Sequence, residues 1–293
     1  RFAGSAFLRA IFLFPLLALF HVLCQLQVYT VYRTDSNQQV ESVEHILINC
    51  LRDKIRNYKP ETISMPFHTR LLGKDRMALF SFIQSLNTTF GISIFEPIAK
   101  SIAKNNFKIV QSQFTSGSLI SSESQSVIQK IITQLENGER IPDKKAEIEE
   151  IRRVCQSGQF INVNPIKVDL FLSTFDDELF LIDLKTAKPN KNDFRSYKRT
   201  LLNWVGVTLA QNPYAKVNTL IAIPYNPYEP KPYRRWTING MIDLDNEIKV
   251  ASEFWDFLGG EGTYEILLTC FEKVGIELSS ELDDYFMRFE NRH

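Results

Sequence analysis

The fold of this chain is decided by the stretch from Pro165 to Lys185, which reads PIKVDLFLSTFDDELFLIDLK. Two apolar runs flank a short polar loop. Alternate positions of each run are apolar, namely Val168, Leu170 and Leu172 in the first and Phe180, Ile182 and Leu184 in the second. A period of two is typical of a strand with one buried face. Because the loop from Ser173 to Glu178 is polar and turn-like, the stretch is predicted to form a β-hairpin.

The register of this hairpin brings two acidic side chains opposite each other. If the turn is centred on Asp176, Asp169 faces Asp183 to within one residue, and a slip of one residue would move one of them into the core. In this register Asp169, Asp183 and Lys185 share the face opposite the apolar residues. Directly opposed Cβ atoms lie about 4.5–5.5 Å apart, so the two carboxylates could hold one divalent cation.

The chemistry of this acidic pair points to a metal. Two carboxylates at that separation repel each other unless a proton or a cation neutralises them, and Mg²⁺ prefers oxygen ligands. Lys185 could stabilise a phosphate oxygen in a transition state or help to orient an attacking water. The plain alternative is a surface hairpin whose charged side chains are merely solvated. The apolar backing of both strands and the opposed acids favour the functional interpretation.

These residues resemble a known nuclease pattern. Asp169 followed by Asp183-Leu184-Lys185 resembles the PD-(D/E)xK superfamily in its Asp-x-Lys form, although Pro165 stands four residues before the first acid instead of adjoining it. Together with the segments 65–73, 85–91 and 225–233, the chain resembles the TdeIII family of type II restriction endonucleases from roughly Val40 onwards. The resemblance implies Mg²⁺-dependent hydrolysis of phosphodiesters in double-stranded DNA. It also implies Asp169, Asp183 and the carbonyl of Leu184 as metal ligands.

The resemblance carries further expectations about partners and about one more acid. It implies a homodimer, a short palindromic target of the GGNCC type and a companion DNA methyltransferase. In the superfamily an acid from the preceding helix often joins the metal site. A helix is predicted from Asp143 to Cys155 with Asp143 as its N-cap, and among its glutamates Glu147 lies nearest the inward face. Glu147 is therefore the fourth catalytic candidate, and an exposed helix glutamate is the alternative.

Basic residues after the hairpin are candidates for contacts with DNA. A helix is predicted from about residue 190 to 210, and its helical spacing puts Arg195, Lys198 and Arg199 together on one face. A loop rich in proline, tyrosine and basic residues follows at 225–236, where an arginine could reach guanine edges. The alternatives are a solvated helix face and a proline-stiffened loop packed on the core. The candidate contacts are Lys188, Lys191, Arg195, Lys198, Arg199, Arg234 and Arg235.

Composition and order of elements set the fold class. The chain has 293 residues, 44% hydrophobic and 23% charged, which is ordinary for a globular domain, and its zero net charge gives no indication of a nucleic-acid partner. A strand predicted at 217–224 follows the helix, which is a βαβ pattern. We therefore predict an α/β fold with a mixed central β-sheet flanked by helices, restriction-endonuclease-like, with helical additions at both ends. The polar stretches 87–91 and 111–126 are predicted to be loops.

Domain organisation and location follow from the ends of the chain and the cysteines. Residues 34–293 are predicted to form one endonuclease domain with a catalytic core at about 141–236. Residues 1–33 are apolar and long enough to cross a bilayer. We favour translated upstream sequence joined in frame, ahead of a membrane anchor or a buried helix. The cysteines stand far apart, so we expect reduced thiols in a cytoplasmic protein without a membrane partner.

Two other classes of function stay open on the sequence alone. One is a DNA-binding or membrane-associated interaction protein that kept the nuclease scaffold without its chemistry. The other is a repair-type nuclease that acts on damaged or branched DNA. The first would bind DNA in EDTA without ever cutting it. The second would give no discrete fragments from ordinary plasmid DNA.

Overall fold

The computed structural model describes residues 38–59, 65–185, 187–188, 191–233 and 240–290. The apolar segment 1–33 and two candidate DNA contacts, Arg234 and Arg235, lie outside these residues. The interpretations of that segment and of those two arginines therefore stay predictions.

A five-stranded mixed sheet forms the centre of the fold. Its strand order is β1 (Ile109–Thr115), β4 (Lys167–Ser173), β5 (Glu178–Leu184), β6 (Lys216–Ile223) and β7 (Ile248–Val250). The pairs β1–β4 and β4–β5 are antiparallel, whereas β5–β6 and β6–β7 are parallel. A separate two-stranded sheet joins β2 (Leu119–Ser121) to β3 (Phe160–Asn162). The predicted core at 141–236 thus holds β4, β5 and β6, while β1 and β7 come from outside it.

Helices surround the central sheet. In chain order they are α1 (residues 38–57), α2 (Pro66–Leu72), α3 (Lys74–Thr89), α4 (Glu96–Ala103), α5 (Ser122–Glu136), α6 (Lys144–Val154), α7 (Lys191–Gln211), α8 (Ser252–Gly259), α9 (Thr263–Glu277) and α10 (Ser279–Glu290). A π-helical segment, Phe90–Phe95, links α3 to α4. The predicted N-cap of α6 is confirmed, since the Asp143 carboxylate accepts a hydrogen bond from the Ala146 N–H at 3.0 Å.

The predicted hairpin is confirmed together with its register. Leu170 lies opposite Ile182 in the β4–β5 ladder, and the adjoining pairs keep the same alignment. If this alignment is continued by one residue beyond Leu170 and Ile182, Asp169 lies opposite Asp183. The alternate apolar residues of β4 are fully buried, as a period of two requires of a strand packed on one face. The hydrophobic pattern and the turn therefore fixed the register that sets the two acids side by side.

Helices cover both faces of the sheet. On one face Phe257 of α8 packs against Phe180 of β5, with ring centroids 5.1 Å apart. On the other face Lys144 of α6 donates a hydrogen bond to Thr219 of β6, and Thr219 is aligned with Leu181, the neighbour of Phe180. Since consecutive strand residues point to opposite faces, α6 and α8 lie on opposite sides of the sheet. The predicted α/β fold, a mixed sheet flanked by helices with helices at both ends, is confirmed.

Two stretches predicted to be loops are regular structure instead. Residues 111–126 contribute most of β1, all of β2 and the beginning of α5. Their serine and glutamine side chains suit the edge of a sheet, where pairing with β4 satisfies the backbone N–H and C=O groups on one side. Residues 87–91 belong to α3 and the π-helical segment. Tertiary packing outweighs local propensity in both stretches, and both contribute to the site described below.

Among the described helices, none is by itself long and apolar enough to cross a membrane. One pair of segments, Arg76–Thr89 and Ser93–Ala103, meets that length and composition together but is bent by 52°.

Candidate active site

Two acidic side chains from neighbouring strands lie side by side. The carboxyl groups of Asp169 on β4 and Asp183 on β5 are near enough for each to influence the ionisation of the other, and Asp183 is only 7% exposed. The Leu184 N–H donates to Oδ2 of Asp169 at 2.9 Å. This bond ties the first acid to the backbone of the strand that carries the second. The opposition expected from the hairpin register is therefore present.

Lys185 stands beside this pair, as its position two residues after Asp183 predicts. Its Nζ lies 2.7 Å from Oδ1 of Asp183. Its backbone N–H donates to the Ala222 carbonyl at 2.9 Å, which extends the β5–β6 ladder and fixes the main chain at this point. The ring of Tyr197 from α7 lies under the ammonium group, with 4.6 Å between Nζ and the ring centroid. The ammonium is thus held between an acid and an aromatic face.

The electrostatics of the pair favour an additional positive charge. The pKa of Asp183 is raised to about 7 in total: burial is the main cause, the Lys185 ammonium opposes it, and the neighbouring Asp169 adds to it. Burial and a like charge both disfavour the ionised form of a carboxyl group. One ammonium group does not balance two adjacent acids. A proton or a cation at this place would relieve the repulsion.

A third acid approaches Asp169 from α4. Glu96, the first residue of that helix, is buried, and its Oε2 accepts a hydrogen bond from Nε2 of Gln113 at 2.9 Å. The same nitrogen lies 3.5 Å from Oδ1 of Asp169. Burial raises the pKa of Glu96, the Gln113 hydrogen bond opposes this effect, and Asp169 adds to it. An acid from a helix that precedes the hairpin therefore does adjoin the pair, and it is Glu96.

A cleft of about 710 Å³ opens beside these groups. Asp183 lies next to the cleft, beside Asp169 and Lys185, whose side chains line it. Near the acids its wall combines negative, positive and aromatic groups, contributed by Glu96, Asp169, Leu184, Lys185, Lys188 and Tyr197.

The donor set fits a divalent cation that prefers oxygen. Asp169 and Asp183 supply carboxylate oxygens side by side, and Leu184, whose carbonyl the family pattern implies as a ligand, borders the same cleft. Within the described chain, no three acidic, histidine or cysteine side chains surround a single point closely enough to form a complete site. The pair would therefore need backbone oxygen, water or a small shift of Glu96 to complete a coordination shell.

Glu147 and Lys198 stand apart from the position that the sequence predicts for them. Neither side chain is exposed at all, and Nζ of Lys198 lies 2.6 Å from Oε2 of Glu147 and 2.6 Å from Oε2 of Glu247. Lys144 completes the cluster, with its Nζ 3.0 Å from Oε1 of Glu247. Glu147 is not among the residues that line the cleft. A lysine that is enclosed between two glutamates has no access to a phosphate backbone, so this placement corrects the assignment of Lys198. The ion pair with Lys198 gives no support to a catalytic role for Glu147, which stays a prediction.

The remaining basic candidates are placed in different ways. Arg195 forms an ion pair with Glu136 of α5, and Arg199 donates to Oε1 of Gln129 in the same helix at 2.9 Å. Both therefore face α5, and neither lines the cleft. Lys188 is exposed on the cleft wall, with its Nζ 5.7 Å from the ring centroid of Tyr228. Lys191 is the first residue of α7, and its side chain is outside the described part of the chain.

Sequence reasoning missed Glu96, Gln113 and the placement of Tyr197. Glu96 starts a short helix and is followed by Pro97, which is typical of a helix start. This pattern does not predict that the helix packs next to the hairpin, which lies more than 70 residues further along the chain. Gln113 lies in a stretch that was predicted to be a loop. Tyr197 lies within the predicted helix after the hairpin, where its spacing suits a buried face, yet it is half-buried and borders the cleft. No local pattern links these three residues to one another.

Comparisons with known proteins agree with this geometry. The family model described as type II restriction endonuclease, HinfI, matches residues 35–275. The chain is 25% identical over 260 residues to the type II restriction enzyme HgiEI of Herpetosiphon aurantiacus, covering 87% of this chain and 90% of that enzyme. It is 26% identical over 260 residues to the type II restriction enzyme MjaII of Methanocaldococcus jannaschii, covering 77% of this chain and 67% of that enzyme. The class of enzyme expected from the sequence is confirmed, and the matching family is HinfI.

Proposed function

Because the chain belongs to the HinfI family of type II restriction endonucleases, we propose that it hydrolyses phosphodiester bonds of double-stranded DNA at the cleft with Mg²⁺ bound at Asp169 and Asp183. One observation carries the proposal. Two adjacent carboxyl groups stand beside the Lys185 ammonium group at an open cleft. An arrangement of this kind is costly to keep in a protein unless a cation completes it.

Each residue of the site has a distinct task in this proposal. Asp169, Asp183 and the Leu184 carbonyl would hold the metal, and Glu96 lies near Asp169 as a further acid from α4. Bound Mg²⁺ would supply a water of lowered pKa and offset charge on the scissile phosphate. Lys185 stabilises negative charge that develops on a phosphate oxygen, because its Nζ is held near the acids by Asp183 and Tyr197. Lys188 on the cleft wall is placed to meet a backbone phosphate.

The target and the assembly belong to the same proposal. A short palindromic site of the GGNCC type follows from the resemblance to the TdeIII family, and a symmetric site suits a two-fold protein dimer. The exposed apolar side chains of α2 and α3 support such a dimer. Phe67 is 85% exposed, Leu71 is 82% exposed and Phe80 is 54% exposed. Large apolar side chains this exposed, on two consecutive helices, are candidates for a contact between protomers.

A restriction enzyme also needs protection for the DNA of its own cell. We include in the proposal a companion methyltransferase that modifies the same site, and a cytoplasmic location where both enzymes meet DNA.

The deciding experiment is a plasmid digest in Mg²⁺ and in EDTA, followed by sequencing of the fragment ends. We expect discrete fragments with a common terminal sequence in Mg²⁺ and none in EDTA. Asp183→Ala and Lys185→Ala should each abolish cleavage while the circular dichroism spectrum stays unchanged. DNA binding without any cleavage would favour the non-catalytic alternative. Ends without a common sequence would favour a repair-type nuclease.

A further inference from the structure

Gln113 has a backbone conformation that its residue type does not favour. Its φ of 52° lies in the left-handed region, which few residues other than glycine, asparagine and aspartate adopt readily. In the β1–β4 ladder, Ser112 pairs with Leu170 and Phe114 pairs with Val168, but Gln113 is not paired with Asp169 between them. The β1–β4 register is the same before and after Gln113, so Gln113 is not an extra residue inserted into the strand as in a β-bulge. The strand is distorted only at the position opposite the first catalytic acid.

The distortion coincides with two contacts of the Gln113 side chain. Its Nε2 donates to Oε2 of Glu96 at 2.9 Å and lies 3.5 Å from Oδ1 of Asp169. A primary amide nitrogen carries two hydrogens, so one group can serve two carboxylates at once. The second oxygen of Asp169 already accepts from the Leu184 N–H. Asp169 therefore accepts hydrogen bonds from both neighbouring strands, β1 and β5. The Gln113 amide on β1 that bonds to Asp169 also donates to Glu96 on α4.

The surroundings of Gln113 hold this conformation in place. Phe114, the next residue, stacks on Phe171 of β4 with ring centroids 4.4 Å apart and planes 25° apart. The residue before it, Ser112, accepts from Nζ of Lys100 on α4 at 3.4 Å. Unfavourable backbone conformations persist where neighbours fix them, and they cluster at sites of function. Here both neighbours of Gln113 are fixed, and the amide between them reaches two acids.

We propose that Gln113 is a positioning residue that orients the Glu96 and Asp169 carboxylates for the cation. This inference rests on the proposed function, because it assigns a role within the same site. Carboxylates that bind a metal are commonly oriented by hydrogen bonds from groups that do not touch the metal. Without the amide, two neighbouring acids of like charge would turn away from each other. The left-handed backbone is what brings the amide from the edge strand to both of them.

The test separates the amide from the backbone strain. Gln113→Gly removes the amide and relieves the strain, whereas Gln113→Ala removes the amide and keeps the strain. Melting temperature is measured against MgCl₂ concentration for each protein, because a ligand that binds the folded state stabilises it increasingly as its concentration exceeds the dissociation constant. We expect both variants to need about tenfold or more Mg²⁺ for the same rise in melting temperature as the wild type. The glycine variant should also melt at a higher temperature than the alanine variant without metal.

Gln111→Gly is the matched control. Gln111 is exposed on the same strand, two residues before Gln113, and is regularly paired with Phe171. We expect this glycine to lower the melting temperature without metal and to leave the Mg²⁺ concentration needed for a given rise in melting temperature at the wild-type value. A wild-type protein that responds to Mg²⁺, together with Gln113 variants that need no more Mg²⁺ than the wild type for the same rise, would overturn only the role of Gln113. A wild-type protein that neither responds to Mg²⁺ nor cuts DNA would overturn the proposed function and this inference together.

Discussion

Glu147 and Lys198 are partners of each other, with Oε2 and Nζ 2.6 Å apart and neither side chain exposed. The Glu147 Oε2 has this ionic contact but no well-aligned hydrogen bond. Burial raises the pKa of Glu147 despite the ammonium group beside it, and burial lowers the pKa of Lys144 in the same cluster. Burial alone would raise the pKa of Glu247, but the two lysines bring it below its ordinary value. The cluster joins α6, α7 and the segment before β7.

Removal of one member of this cluster should destabilise the fold. Lys198→Met leaves Glu147 buried without its ammonium partner, so we expect the free energy of unfolding to fall by about 3–5 kcal/mol. Urea denaturation measures the change. The double variant Lys198→Met with Glu147→Gln should regain part of the loss, because the orphaned charge is gone. A single variant as stable as the wild type would contradict the buried pair.

Glu96 and Glu147 should respond in opposite ways to the same substitution. Glu96→Gln should lower the cleavage rate by roughly 100-fold or more, because an acid beside the metal pair is lost. Stability should not fall, since a neutral amide replaces a buried acid whose pKa burial raises. Glu147→Gln should lower stability and leave the rate per folded molecule within a few-fold. Initial rates on plasmid and thermal melting measure the two effects.

The control for both substitutions is Glu149→Gln. Glu149 is exposed on α6 and forms an ion pair with Arg152, three residues further along the helix. We expect neither rate nor stability to change measurably, because exposed ion pairs contribute little. Full activity in Glu96→Gln would remove Glu96 from the site.

Tyr197 should affect the rate through Lys185. Tyr197→Leu removes the aromatic face 4.6 Å from the ammonium group. We expect the single-turnover rate to fall by roughly 2- to 30-fold, which corresponds to about 0.5–2 kcal/mol of cation–π interaction. Tyr197→Phe keeps the face and should keep most of the rate. If leucine and phenylalanine gave the same rate, the ring would have no part in holding Lys185.

Lys188 should contribute to the salt dependence of DNA binding more than Arg195 does. In an Asp183→Ala background that does not cut, Lys188→Ala should reduce the slope of log affinity against log salt by about one. Arg195 is engaged by Glu136 and does not line the cleft, so Arg195→Ala should change the slope less. Fluorescence anisotropy at several salt concentrations measures both. Equal slopes for the two variants would mean that DNA lies also along the outside of α7.

The fold was largely predictable because its main features are local. The alternation of apolar residues from Val168 to Leu184 depends only on the period of a strand, and it predicted both the hairpin and its register. The cap at Asp143 and the helix after the hairpin also follow from short-range rules. Residues 111–126 were missed because an edge strand is stabilised by its neighbour β4, and their own composition favours a loop.

The sequence by itself determined that Asp169, Asp183 and Lys185 lie together, since a period of two and one turn place them on the same face of one hairpin. Only the tertiary structure decided which further side chains reach them. A helical wheel gives the angle of Glu147 and of Lys198 on each helix, but it does not say what lies beneath that helix. Packing enclosed these two charges as a buried pair and brought Glu96 and Gln113 to the acids instead. Contacts between elements that are distant in the chain depend on how those elements pack, and no local pattern in this sequence encodes that.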